Sequence, residues 1–382
     1  MKIVHIGYNH RANDIRIFQK ECISLTKAGN SVTYITSNKN SSIENSGVKN
    51  GVNVVILSLK STKNRIQRLC GYLKELKKTL INMDADIYHF HEFELLPVLT
   101  FLLKNNKKVI YDMHEDTPRQ IEPMIYKKFG SIAGKFIVYM VERYENHCIS
   151  KCDYVIAATP HIADRCRKHN KNTTVIANYP IISKEKEEDS CKTCVSFQNP
   201  KKHDLDSINL CYCGGMSEAR NISMYVKAME NIPGKLFLIG ELSTEYKKRL
   251  EKINAWKNVV YFGYVNNEEV RNIYQKSDIG LCVLKKTPNH YYSLPIKLFE
   301  YMEAGLPVIC SDFPLLKTIV EENNCGVCVD PDNIDEFIEA VTFLRNNPIL
   351  AHKMGTNGKK IIYEKYNWGH ERERLINLYE SI

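Results

Sequence analysis

Several short stretches of the chain hold side chains fit for chemistry. In Tyr111-Asp-Met-His-Glu-Asp116 an imidazole, His114, sits just past an apolar run, among Asp112, Glu115 and Asp116. It can donate to a hydroxyl or shuttle a proton, or be a histidine bonded where domains meet. His89 and His91 close the preceding apolar run, where they can face a site or simply pack inside. The loop Gly7-Tyr-Asn-His-Arg-Ala-Asn-Asp-Ile-Arg16 follows the first apolar run. In it Asp14 can cap the next helix, and Arg16 can contact a phosphate or an acceptor. Arg220 comes just after the turn Gly214-Gly215, at the start of a helical stretch, as a solvated helix-end charge or as a cation placed for an anion. Lys297 and Glu300 lie in Ser293-Leu-Pro-Ile-Lys-Leu-Phe-Glu300. Glu300 reads as opening a helix, where the macrodipole favours a carboxylate and where its two oxygens suit paired hydroxyls.

Metal patterns are weaker. The 13 cysteines are scattered and several fall in apolar runs, which reads as buried reduced thiols in the cytosol. A structural zinc site needs four ligands. The pairs Cys191/Cys194 and Cys325/Cys328 are far apart, and the second runs into an apolar strand. Asp84-Ala-Asp86 precedes its strand and Asp330-Pro-Asp332 reads as a proline turn, so both read as solvated loop acids. No metal is expected.

The elements that must position these residues alternate. Lys2–Gly7, Ser31–Thr36, Val54–Leu59, Ile87–His91, Lys108–Met113 and Asp153–Ala158 read as strands, and Ile15–Ala28 as a helix closed by Gly29. The polar stretch 181–208 interrupts the pattern. It restarts with Leu210–Cys213, Lys235–Gly240, Val259–Phe262, Ile279–Leu284, Val308–Cys310 and Gly326–Val329. Strands separated by helices make parallel, doubly wound sheets. The 382 residues suit two such domains, and ligands are expected at the carboxyl ends of the strands.

Ser293-Leu-Pro-Ile-Lys-Leu-Phe-Glu-Tyr-Met-Glu-Ala-Gly-Leu-Pro-Val-Ile309 resembles the signature of retaining GT-B glycosyltransferases of family four. Gly214-Gly-Met-Ser-Glu-Ala-Arg-Asn-Ile222, Phe262-Gly-Tyr-Val265, Asp112-Met-His-Glu115, Asn178-Tyr-Pro180 and Tyr366-Asn-Trp368 extend the resemblance over nearly the whole chain. It implies an α/β GT-B fold, two Rossmann-like doubly wound parallel-sheet domains facing across a cleft. Residues 1–180, with a last helix at about 367–382 packing back, would form the acceptor domain, and 181–366 the donor domain. It implies transfer of a sugar from a nucleotide-diphosphate sugar with retention of configuration, without metal or cofactor, UDP being favoured over GDP. The acceptor would be a lipid-linked glycan or another surface glycoconjugate precursor.

The resemblance also implies residue roles. Arg220, with Lys297, grips the diphosphate; Glu300 binds the donor ribose; His114 lines the reaction centre. Gly214, Gly215, Gly240 and the backbone near Val265 approach the donor. Gly7, Arg16 and His91 lie on the acceptor and phosphate side. Two positions depart from the family: Tyr292 stands where a first glutamate is usual, and Gly215 where an arginine often follows the first glycine. Tyr292, Ser293 or nearby backbone would then contact the donor sugar. Two other readings stay open, an epimerase or hydrolase on the same fold and a non-catalytic subunit of a transferase complex.

Charge adds a surface argument. Residues 1–180 hold 27 Lys+Arg against 16 Asp+Glu, and residues 181–382 hold 26 against 28. A basic half suits an anionic partner. No nucleic-acid motif is present, so lipid or pyrophosphate is favoured over nucleic acid. In 63–81, Ile66, Leu69, Leu73, Leu76 and Leu80 form one apolar stripe beside six basic residues. That helix can lie on an anionic bilayer or pack its stripe on the sheet. No apolar run of about 18 residues occurs and the N-terminus reads as a strand, so the expected location is cytoplasmic, peripheral on the inner face of the cell membrane.

Overall fold

Met1–Asn178 and Trp368–Ile382 form one unit, and Tyr179–Asn367 a second, in a computed structural model that describes residues 1–37, 46–58, 64–182 and 207–382. Most of the polar stretch 181–208, with Cys191 and Cys194, lies outside the described residues. In the first unit β1 (Lys2–Ile6), β2 (Ser31–Ser37), β3 (Gly47–Lys49), β4 (Val52–Leu57), β5 (Ile87–Phe90), β6 (Lys108–Met113), β7 (Tyr154–Ala157) and β8 (Thr173–Val175) make one sheet, in the order β3-β4-β2-β1-β5-β6-β7-β8. All pairs are parallel except β3 with β4. In the second unit β9 (Ile208–Cys213), β10 (Gly234–Ile239), β11 (Val259–Gly263), β12 (Ile279–Cys282), β13 (Val308–Ser311) and β14 (Gly326–Val329) form a parallel sheet, in the order β11-β10-β9-β12-β13-β14.

Core clusters cover both faces of each sheet, so the central strands are largely apolar rather than alternating. The strand order reverses at β1 in one sheet and at β9 in the other. The turns after those two strands begin at Gly7 and Gly214, at the two places where such sheets open a crevice.

Three local expectations change. The helix over 15–28 is wide-wound from Ile15 to Cys22 and α-helical over Ile23–Lys27, with Asp14 accepting from the Ile17 N–H as its cap. Glu300 lies inside the helix Ile296–Glu303, not at its start, so the macrodipole does not account for it. Arg220 ends a short 3-10 turn, Glu218–Arg220, and left-handed Asn221 separates it from the helix Ile222–Ala228. The final helix, Trp368–Glu380, docks on the first unit. Trp368 donates to Ser24 (3.0 Å) and Glu371 accepts from the Ala177 N–H (2.8 Å).

Most of the stripe of the 63–81 segment is spent in the core, while Ile66 at its start stays 72% exposed. In the helix Arg65–Ile81, Tyr72, Leu76 and Leu80 are buried and Leu69 and Leu73 pack against them, leaving the charged side to water. Lys63 lies outside the described residues. Among the described residues no helix is long and apolar enough to cross a membrane.

Candidate functional site

In the first unit one face of the sheet changes character along its strands. Toward the amino ends, Ile3 of β1 stands beside Ile87 of β5. Two residues on, His5 stands beside His89, followed by His91 and, on β6, by Asp112. Because side chains alternate, this places His5, His89 and Asp112 on the face that carries Ile3, Ile87 and Ile110. The wide helix lays Arg16 and Glu21 over them, and Tyr379 of the last helix hydrogen-bonds His89 (2.7 Å).

Asp112 is the hub. Fully buried, it accepts from Arg16 Nε and Nη2 (3.1 and 2.8 Å) and from His114 Nε2 (2.8 Å), and His91 Nδ1 lies 3.3 Å away. Burial opposes its ionisation, but Arg16 and then His114 override that and hold its carboxyl well below the usual range. An ionised Asp112 fixes the His114 proton on Nε2 and leaves Nδ1 as an acceptor. His91 Nε2 in turn meets His5 Nδ1 at 2.8 Å. Burial, then like charge from His91, lowers His5 and His89 well below the ordinary histidine value, and burial takes His91 to about 4. Burial, with the charge of Asp112, raises the Glu21 carboxyl well above its usual value, so it is held neutral.

This geometry reassigns Arg16. Its guanidinium is buried, chelates Asp112 and donates to the Ile176 carbonyl (3.1 Å), so it supports the cluster rather than standing open to a phosphate. His91 is buried in the same network, and only His114, 18% exposed, opens outward. The Gly7 N–H donates to Ile35 (2.9 Å) and its carbonyl accepts from Tyr72 (2.6 Å). Glu92, which the motif reading missed, ties the loop down by accepting from the Tyr8 and Asn9 N–H groups. His5 and Glu21 were missed as well, since in sequence they look like single polar residues in an apolar strand and a helix. His5, Glu21, His89 and His91 each offer a ligand atom within 4.8 Å of the others, as do Glu21, His91, Asp112 and His114, so among the described residues these are the groups placed to hold a cation.

In the second unit the sequence motifs meet at the carboxyl ends of β9, β10 and β11. Gly214 and Gly240 both have positive φ. A Cβ on Gly240 would fall 2.3 Å from the Gly214 carbonyl, so close approach requires glycine there, while at Gly214, where a Cβ would lie 3.3 Å from the far end of the flexible Lys297 side chain, the positive φ is what favours glycine. Lys297 is buried and lies over the Tyr212 ring, 3.7 Å from its centroid, with Nζ 2.5 Å from its hydroxyl. Tyr212 also donates to the Gly215 carbonyl (2.8 Å). Burial, and less strongly the charge of Arg220, lowers the Lys297 ammonium to about 8. One turn along the helix, Glu300 accepts from Tyr274 (3.4 Å).

Arg220 lines an open cavity of about 670 Å³ with Gly215, Ser217, Glu241, Tyr261 and Tyr264. Beside it Glu218 accepts from Lys285 (2.6 Å), Ser223 (2.7 Å) and Tyr246 (3.0 Å), which against the cost of burial bring its carboxyl to about 2. Neither Lys285 nor Tyr212 stood out in the sequence. Val265, half-buried, packs against the core cluster that holds Tyr301 and Met302. Ser293 donates to the His290 carbonyl (2.9 Å), and Tyr292 stacks edge-on against Tyr291 at the surface. The two acidic triplets are occupied by lysines: Asp84 by Lys107 (2.6 Å) before β5, and Asp330 by Lys286 (3.1 Å) in a turn.

Residues 21–179 match the family described as Glycosyltransferase Family 4, and residues 195–361 the family described as Glycosyl transferases group 1. An uncharacterized glycosyltransferase of Methanocaldococcus jannaschii is 26% identical over 183 residues, 46% of this chain and 45% of that protein. The O-antigen chain mannosyltransferase C of Escherichia coli is 20% identical over 322 residues, 81% of this chain and 79% of that protein. Among solved structures, sucrose-phosphate synthase from Thermosynechococcus elongatus superposes with a TM-score of 0.75 at 17% identity, over 100% of this chain and 98% of that one. Anabaena HepE in complex with UDP and glucose superposes with a TM-score of 0.71 at 11% identity, over 100% of both chains. These likenesses establish the GT-B fold, with a family-4-like glycosyltransferase domain followed by a domain like those of the group 1 glycosyl transferases.

Proposed function

We propose that the protein transfers a sugar from a nucleotide-diphosphate sugar, a UDP-sugar in preference to a GDP-sugar, to a lipid-linked glycan or other surface glycoconjugate precursor, with retention of configuration and without a metal. The observation that carries this reading is the buried Lys297 ammonium, held against Gly214 at the strand-order reversal of the second unit with Arg220 nearby. A leaving diphosphate gains charge as the sugar departs, and fixed cations in a low-dielectric site stabilise that charge. Glu300 supplies two acceptor oxygens for the ribose, making residues 181–366 the donor domain. Tyr292, Ser293 and nearby backbone take the sugar contact in place of the missing glutamate. In residues 1–180, the acceptor domain, neutral His114 offers Nδ1 to a hydroxyl, and Asp112 positions it. The departing phosphate oxygen takes the acceptor proton on the same face, and the protein contributes position and charge.

Support for the donor class comes from the HepE neighbour in complex with UDP and glucose and from the UDP-2-fluoro glucose complex of the Escherichia coli trehalose-6-phosphate neighbour. Support for the acceptor class comes from relatives named as an O-antigen mannosyltransferase and a poly(ribitol-phosphate) N-acetylglucosaminyltransferase. A thermal-shift screen against UDP, GDP, ADP, CMP and dTDP tests the reading, with Glu300→Ala and Arg220→Ala beside the wild type. One diphosphate should raise the melting point, and both variants should lose the shift. No shift at millimolar ligand would favour a non-catalytic subunit, the reading to which Tyr292 and Gly215 lend weight.

A further inference from the structure

In the first unit the helices Thr117–Phe129 and Ser131–Ile149 form a hairpin whose outer face is apolar. Ile132 is 88% and Phe136 66% exposed, and Met124, Phe129, Tyr139 and Met140 are exposed beside them. Ile132, Phe136, Tyr139 and Met140 recur at helical spacing, while Gly134, Val138, Glu145, Cys148 and Ile149 fill the opposite, buried face. A surface helix ordinarily turns a polar face to water, so a contiguous apolar face marks a contact. The hairpin is locked: a Cβ on Gly134 would fall 2.6 Å from the Tyr126 ring. Next to the ridge lies an open groove of about 340 Å³, lined by Phe93, Phe136, Ile137, Met140, Val141 and Tyr144.

Charge decides what the face meets. Lys127, Lys128 and Lys135 are exposed at the turn, around Phe129 and Ile132. Among the described residues no ion pair joins them to a carboxylate, whereas Glu122 and Glu142 are both drawn to Arg119 (3.8 and 3.4 Å). Apolar side chains ringed by uncompensated lysines complement an anionic bilayer, where chains enter the acyl boundary and ammonium groups meet phosphates. We propose that this hairpin, and not the 63–81 helix, docks the protein on an anionic lipid surface, with Ile132 and Phe136 inserted and the groove admitting a lipid chain. The inference stands on the hairpin itself and deepens the proposed reading of a lipid-linked acceptor. The first helix starts three residues after His114, so at 1.5 Å per residue the hairpin tip lies about 20 Å along that helix from the histidine cluster.

Co-sedimentation of the full chain with phosphatidylcholine vesicles, and with vesicles carrying about 30% phosphatidylglycerol, reads the contact at low and high salt. We expect binding to the anionic vesicles, weakened by salt. Lys127→Glu/Lys128→Glu/Lys135→Glu should lower it about 100-fold, at about fivefold per lysine near the surface. Ile132→Asp/Phe136→Asp should lower it about tenfold per side chain. Both variants should keep the nucleotide thermal shift of the wild type, which shows that they fold and separates this test from the donor-site reading. A wild type that stays in the supernatant overturns the proposal, as does a Lys74→Glu/Lys77→Glu/Lys78→Glu variant that loses binding while the hairpin variants keep it. A dimer by light scattering that Ile132→Asp/Phe136→Asp splits, without vesicle binding, overturns it in favour of self-association.

Discussion

Lys297 should make nucleotide binding fall as pH rises through about 8. The drop from the ordinary 10.5 to about 8 means that burial, with the charge of Arg220, disfavours its ammonium by about 3 kcal/mol. A diphosphate at the Gly214 turn supplies the missing counter-charge, so only the protonated form binds it well. At that value about nine-tenths of the lysine is charged at pH 7 and about one-tenth at pH 9, a roughly tenfold loss of affinity. The terminal phosphate, with a second pKa of about 6, is ionised throughout this range. Calorimetric titration with the nucleoside diphosphate that stabilises the wild type, repeated at pH 7, 8 and 9, measures the slope. Lys297→Met should bind weakly with no slope. Linkage gives the matching stability result. Between about pH 8 and 10.5 the unfolded chain binds more protons at this residue, so stability rises with pH, and below pH 8 the full penalty applies. Lys297→Met should therefore stabilise the ligand-free protein at pH 7 by about 1–3 kcal/mol in urea denaturation. A flat affinity profile together with a destabilised Lys297→Met would refute the assignment of a strained, anion-seeking lysine.

The histidine cluster makes a stability prediction of the same sign at lower pH. His5, His89 and His91 are neutral when folded but protonate near 6.5 when unfolded, so stability should fall as pH drops below 6.5. Each contributes about 1.4 kcal/mol per pH unit, and in urea midpoints from pH 7.5 to 5 His5→Asn should remove about one third of the slope. Asp112→Asn leaves the buried Arg16 guanidinium only the Glu21 carboxyl, 3.2 Å away, and should cost about 3 kcal/mol by the same assay, so a loss under 1 kcal/mol would contradict the hub role.

Much of this arrangement was legible because it is local. The βα alternation showed two doubly wound sheets, and the glycine turns after β9 and β10 marked the crevice. What was not legible depends on partners far along the chain. Arg16 read as a free cation because Asp112, which consumes it, lies 96 residues away. Tyr212, which cradles Lys297, looked like one more residue of an apolar strand. The three-residue strands β3 and β8 are too short to show a period. The 63–81 helix and the 131–149 helix differ in the opposite sense. The first shows a clear amphipathic stripe, most of which the core absorbs, Ile66 excepted. The second is apolar on two sides over residues 132–141, and only the fold reveals that one of those sides is left in water.

Gly215 offers the sharpest contrast between family pattern and local space. Family-four proteins often carry an arginine there, and its absence weakens the diphosphate clamp that Lys297 and Arg220 are proposed to form. Yet a Cβ at Gly215 would meet nothing within 4 Å, and its φ is not in the positive region, so a side chain fits without strain. Gly215→Arg should then fold as well as the wild type, with up to about 1 kcal/mol gained from a less flexible unfolded chain. Its guanidinium would enter the cavity that Arg220 lines, where a bidentate phosphate contact adds about 1.5–3 kcal/mol. Repulsion from Lys297 and Arg220 subtracts from that gain in the empty site and is relieved when the diphosphate arrives. The expected result is at least threefold tighter nucleotide binding by titration, with the gain shrinking at high salt. If affinity falls instead, the cations around Gly214 are not converging on a diphosphate, and the glycine is there to leave room for a different ligand.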